Sequence, residues 1–134
     1  MGYVLRRVDV TRTGSGPRAI VLPEIGRYCV PGGKPAMSFD DRWLVTHHRA
    51  TDADAVDLGF TGPTDPVFAP YRNVSNLYLV ELATGSITRL TMMAPGQQAL
   101  FPHFRSDGWI YYIVKTAGLP EYVVATDAAL VLGG

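Results

Sequence analysis

The residues best suited to chemistry gather in one segment. RATDADAVDLGFTGPTDPVFAPYRNVS, Arg49 to Ser75, brings Asp52, Asp54 and Asp57 close together, adds Asp65, and follows directly on His47 and His48. Hard cations take oxygen ligands from clustered carboxylates, so Asp52, Asp54 and Asp57 are the candidate metal ligands and calcium the candidate ion. The spacing lacks the glycine and terminal glutamate of an EF-hand loop, and the competing reading is a solvated acidic loop. His47 and His48 stand in a run of strand formers. Neighbours on a strand point to opposite faces, so the pair cannot chelate one ion in the simplest geometry; one is expected to be buried and hydrogen-bonded, the other exposed. Phe60, Val67, Phe68 and Tyr71 make part of this segment apolar, which implies that it packs on something. Phe60, Phe68 and Tyr71, with His103 further on, are the candidate partner-binding residues.

Nucleophilic chemistry finds less support. The string nearest to a nucleophile elbow is GSG, Gly14 to Gly16, without the G-x-S-x-G pattern or a strand-turn-helix setting. Glycine-rich phosphate loops, zinc helix motifs and haem attachment sequences have no counterpart in the chain. Cys29 is the only cysteine, which excludes an internal disulfide and a cysteine-based zinc site. Between Tyr28 and Val30 it reads as a buried thiol. The chain itself is therefore expected to be no enzyme, with no catalytic residue and no cofactor other than the calcium considered above.

Charge narrows the partners. Twelve basic residues balance twelve acidic ones, and Lys34 and Lys115 are the only lysines. Nucleic-acid affinity needs clustered cations that release counterions, so nucleic acid is not expected as a partner. The amino-terminal MGYVLRRVDV lacks an apolar core of signal-peptide length, and Arg6 stands where a myristoylation motif wants Ser or Thr. The run AALVL, Ala128 to Leu132, is far short of the roughly 20 residues of a spanning helix. No membrane insertion is expected, and the sequence gives no compartment.

The elements that must position these residues are strands. A chain of 134 residues can bury roughly two-thirds of its unfolded surface in one domain. Its 14 glycines and 10 prolines interrupt nearly every apolar segment before a helical period can establish itself. Strands are expected at Tyr3 to Val10 and Ala19 to Leu22, flanking the turn-rich TRTGSGP. A second group is Ala36 to Ser38, Trp43 to His48, Leu77 to Leu82 and Thr88 to Leu90. A third is Phe101 to Phe104, Trp109 to Val114 and Tyr122 to Ala125.

The second and third groups align. PAMSFDDRWLV lies over PHFRSDG-WIY, with Asp40 on Asp107 and Trp43 on Trp109, and LYLVEL lies over EYVVAT. In SFDDR and SDG the aspartate can bond backbone groups two residues on, and Gly108 accepts the positive φ of a tight hairpin. Trp43, Leu44, Val45, Trp109, Ile110 and Tyr112 are expected to be buried in equivalent second strands. Four short antiparallel strands per unit is the pattern of a propeller blade.

This order, and SNLYLVELATGSITRLT most specifically, resembles the TolB-type β-propeller repeat, also found in the propeller domains of prolyl oligopeptidase-like peptidases. Phe39 and Asp41 stand where that repeat usually has proline and glycine, and Arg105 where it has serine. The resemblance implies an all-β fold, a partial β-propeller of four-stranded antiparallel blades, about two to three in number. The reading is one segment over 1–134, with a partial blade at 3–22, a blade at 32–91 carrying the inserted loop 49–75, and a third, incomplete blade at 98–126. The function implied is a non-enzymatic binding or scaffolding module for a protein or peptide. The alternatives are the propeller part of a larger peptidase or hydrolase whose catalytic domain lies outside the chain, and a calcium-binding propeller using the Asp52–Asp57 loop. Incomplete blades leave strand edges unpaired, so a homo-oligomer, or upstream blades of a longer chain, is expected to cover them.

Overall fold

The computed structural model describes residues 2–11, 16 and 19–134. Most of TRTGSGP, including Gly14 and Ser15 of the GSG string, lies outside the described residues. The chain divides into two compact units, Met1–Pro31 and Gly32–Gly134.

In the first unit β1 (Tyr3–Arg6) pairs antiparallel with β4 (Glu24–Tyr28), and β2 (Asp9–Thr11) pairs with β3 (Ala19–Val21). The single strand expected over Tyr3 to Val10 is broken between β1 and β2. There the Arg7 amide donates to the Pro23 carbonyl at 3.1 Å, and its guanidinium grips Asp9 at 2.8 and 2.9 Å. The strand β4 was not legible in EIGRY, where Gly26 and Arg27 blur any alternation. Cys29, expected to be buried, is exposed. Its neighbour Val30 takes the interior place, with 2% of its surface accessible.

The second unit begins with a four-stranded antiparallel meander: β5 (Gly33–Met37), β6 (Trp43–Arg49), β7 (Ser75–Glu81) and β8 (Ile87–Arg89). The order of its first three strands recurs in β9 (Gln97–Phe104), β10 (Ile110–Thr116) and β11 (Tyr122–Thr126). A short helix, α1 (Ala128–Gly133), follows. One parallel bridge, Ser75 opposite Gln98, joins these two sheets at their edges into a continuous seven-stranded array ordered β11-β10-β9-β7-β6-β5 with β8 on β7, and the Ser75 hydroxyl donates to the Ala99 carbonyl there at 2.9 Å. Among the described residues no helix is long and apolar enough to cross a membrane.

The hairpin turns have the expected chemistry. The Asp40 carboxylate accepts the Arg42 amide at 3.2 Å, and the Asp107 carboxylate accepts the Trp109 amide at 3.0 Å. The Ser38 and Arg105 amides donate to the carbonyls of Trp43 and Trp109, closing the turns alike. Gly108 has φ +84°, and Asp41 takes the same left-handed region at φ +57°.

Packing follows from strand parity, because residues paired across a ladder share a face. Trp43, Val45 and Leu79 form one face of the β6–β7 pair and bury against Phe104, Ile110 and Ala129. Leu77 does the same against Ala99, Tyr112 and Val114. Each of the buried Val, Leu, Ile and Phe side chains contributes roughly 1.5–3 kcal/mol. The burial expected of Trp109 does not occur: it is 38% accessible, against 8% for Trp43. On β10, Ile110, Tyr112 and Val114 turn toward the preceding sheet, while Trp109 has the opposite parity.

Candidate functional site

Within the second unit, the other face of β9–β11 is open among the described residues, with His103 and Val123 exposed and Leu100, Tyr111 and Ile113 half-buried. Pairing places His103 beside Tyr111, Leu100 beside Ile113, and Ile113 beside Val123 on this face. Val123 is 67% accessible, and Trp109 borders the face at the start of β10. Tyr111 is the organising side chain. The His103 ring stacks on it with centroids 6.0 Å apart, and the Arg105 guanidinium lies 5.0 Å from its ring centre. His103, a partner-binding candidate, is exposed on a surface combining aromatic rings, aliphatic side chains and a cation. Sequence reasoning missed Arg105, Trp109, Tyr111 and Val123. The available signal was the two-residue alternation of WIYYIVK, which separates Trp109, Tyr111 and Ile113 from Ile110, Tyr112 and Val114.

A cleft of about 430 Å³ lies between the two hairpin turns and α1, with Asp40, Arg42, Arg105, Asp107 and Leu130 in its walls. Its polar groups serve the turns. The Ser38 hydroxyl donates to Asp40 at 2.6 Å and accepts the Trp43 amide at 2.9 Å. Those bonds, from Ser38 first and the Arg42 amide next, hold the Asp40 carboxyl below its ordinary value. Arg42 is spent on Glu81 and on the Gly133 carbonyl.

The insert between β6 and β7 is an ordered loop with its own small core. Its ends are tied by Ala50 and Val74, amide to carbonyl at 2.8 Å. Ala50, Ala55, Leu58 and Phe68 are buried together, with Phe60 and Tyr71 packed on them at ring separations of 5.3 and 5.0 Å from Phe60 to Phe68 and Tyr71. Phe68 therefore needs correction as a partner-binding candidate. It is fully buried, because the loop is long enough to fold over its own aromatic side chains. Phe60 and Tyr71 are half-buried for the same reason.

The acidic residues of the insert have separate partners. Asp54 accepts the Thr51 amide and hydroxyl, each at 2.7 Å, and faces His48 Nε2 at 3.0 Å. Burial alone would raise the Asp54 carboxyl, but the Thr51 and His48 bonds outweigh it and hold the group below its ordinary value. Asp52 meets the Arg72 guanidinium at 2.6 Å. Asp57 contributes its carbonyl, which accepts from Arg89 at 2.9 Å. Among the described residues no three His, Cys, Asp or Glu side chains are grouped as a metal ion would need. His47 and His48 do take opposite faces, but neither is exposed: both are half-buried, His48 toward the insert and His47 toward β9.

A four-stranded antiparallel meander followed by a second sheet in the same order defines an all-β protein, a partial β-propeller. No protein-family model matches the chain. No curated protein matches it either. Among solved structures it is similar to that of TolB from Acinetobacter baumannii, with 12% sequence identity and a TM-score of 0.36. The match covers 91% of this chain and 38% of that one, so the chain spans well under half of that protein's length.

Proposed function

We propose that the chain is a non-enzymatic β-propeller module that binds a protein or peptide partner through the uncovered face of β9–β11. One observation carries the reading. The face of β6–β7 holding Trp43, Val45 and Leu79 is buried against β9 and β10, whereas the outer face of β10–β11 leaves Val123 67% accessible, Tyr111 and Ile113 half-buried, and Trp109 exposed at its border. Tyr, Trp and Arg are the side chains enriched where binding energy concentrates. A suitable partner brings aliphatic side chains to Ile113 and Val123 and a carboxylate to Arg105.

Site-specific photo-crosslinking in expressing cells tests this. A photoreactive residue at Val123 should trap a partner, while the same residue at Val56, equally exposed on the insert, should not. An adduct of twice the chain's mass would identify the partner as a second copy. Equal labelling at both positions, or none at Val123, would overturn the proposal.

A further inference from the structure

His47 makes a contact that its strand does not require. Its Nδ1 accepts the main-chain N–H of Phe101 at 3.0 Å, and its ring meets the Phe101 ring edge-on, with centroids 5.5 Å apart and planes at 87°. His47 belongs to β6 and Phe101 to β9, so the bond links the two sheets. Phe101 has φ +53°, in the left-handed region that a bulky L-residue enters only when held there. It sits where β9 slips register against β10, between the pairs Tyr111–His103 and Ile113–Leu100. An amide displaced from the ladder at such a bulge needs another acceptor, and His47 supplies it.

We propose that His47 is a pH-sensitive latch between the two sheets: the neutral ring holds Phe101 in its strained conformation, and protonation releases it. A neutral imidazole accepts at one nitrogen, whereas an imidazolium has two donors and no acceptor, so the bond exists only with the ring neutral. The charged groups near His47 are Lys34 from β5 and Arg49 two residues on in its own strand, and the titratable His48 is its chain neighbour on the opposite face. The strand β7 brings Leu77 opposite it, and β9 brings Phe101. Burial first, then the positive charges of Arg49 and Lys34, lowers the His47 pKa from its ordinary 6.5.

The sign follows from that direction. The folded value lies below the unfolded one, so the latch is fully closed above pH 6.5 and weakens as pH falls toward the folded value. Release has a consequence for the neighbouring surface. The Phe101 carbonyl lies 3.5 Å from His103 Nδ1, and His103 stacks on Tyr111, so loosening Phe101 disturbs the exposed face whether or not that face binds a partner.

Nuclear magnetic resonance on the intact chain tests the latch. The His47 ring should titrate below 6.5, and the Phe101 amide should shift with the same midpoint. Its protection from hydrogen exchange should fall by up to about tenfold per pH unit below the unfolded value, beyond the intrinsic pH effect, until the folded value is reached. In His47→Asn the amide oxygen stands in place of Nδ1 and cannot titrate, so the pH dependence at Phe101 should vanish. A His47 midpoint at or above 6.5, or a Phe101 amide indifferent to it, would overturn the proposal from the wild-type measurement alone.

Discussion

Asp41 and Gly108 show how one place in a turn can be filled in two ways. Both take the left-handed region, at φ +57° and +84°. An L-residue pays roughly 1–2 kcal/mol there, less for aspartate, and glycine escapes the steric part of that cost. Asp41→Gly should therefore stabilise the chain by up to about 1 kcal/mol, read as a higher urea midpoint at unchanged slope. A lower midpoint would mean that the Asp41 side chain contributes something the turn geometry does not reveal. The substitution does not carry over to Gly108, where an added Cβ would have the opposite effect. It would lie 2.7 Å from Leu130 Cδ2. At this scale the sequence was informative wherever a side chain acts on its own neighbourhood. Asp40 and Asp107 bond the amides two residues on because that bond is local. Cys29, Phe68 and Trp109 were misjudged because burial depends on what packs over a residue, which its sequence neighbours do not fix.

The elements were legible in order and less so in extent. The strands β5 to β11 lie where apolar runs bounded by turn residues place them, since both hairpin turns and alternation are short-range signals. The strand β4 escaped because its pairing with β1 is made across more than a dozen residues and EIGRY has no clear alternation. The insert escaped differently: its order rests on Phe60 and Tyr71 packing over the buried Phe68 within it, and on Asp54, which ties Thr51 to His48 of β6. That tie has a pH dependence. The Asp54 carboxyl is held below its ordinary 3.8, so its contribution is fully present above that value and is lost as pH falls through the folded value. Hydrogen exchange followed across pH 3 to 5 should show the insert amides around Thr51 to Leu58 losing protection before those of β6 and β7. Simultaneous loss in all three segments would show that the insert does not open as a separate element.

At the scale of the whole molecule, the account rests on the stacking of one sheet on the next and on the open face that stacking leaves behind. Trp43 and Trp109 report the two situations, covered and uncovered, at matching places after their turns. Each can be isolated by replacing the other with phenylalanine, which leaves one tryptophan per molecule. At a concentration where light scattering gives the monomer mass, acrylamide quenching of fluorescence then compares them directly. Trp43, alone in Trp109→Phe, should emit in the blue and resist quenching; Trp109, alone in Trp43→Phe, should emit further to the red and be quenched readily. Equal shielding of the two in the monomer, or readier quenching of Trp43, would contradict both the stacking and the open face.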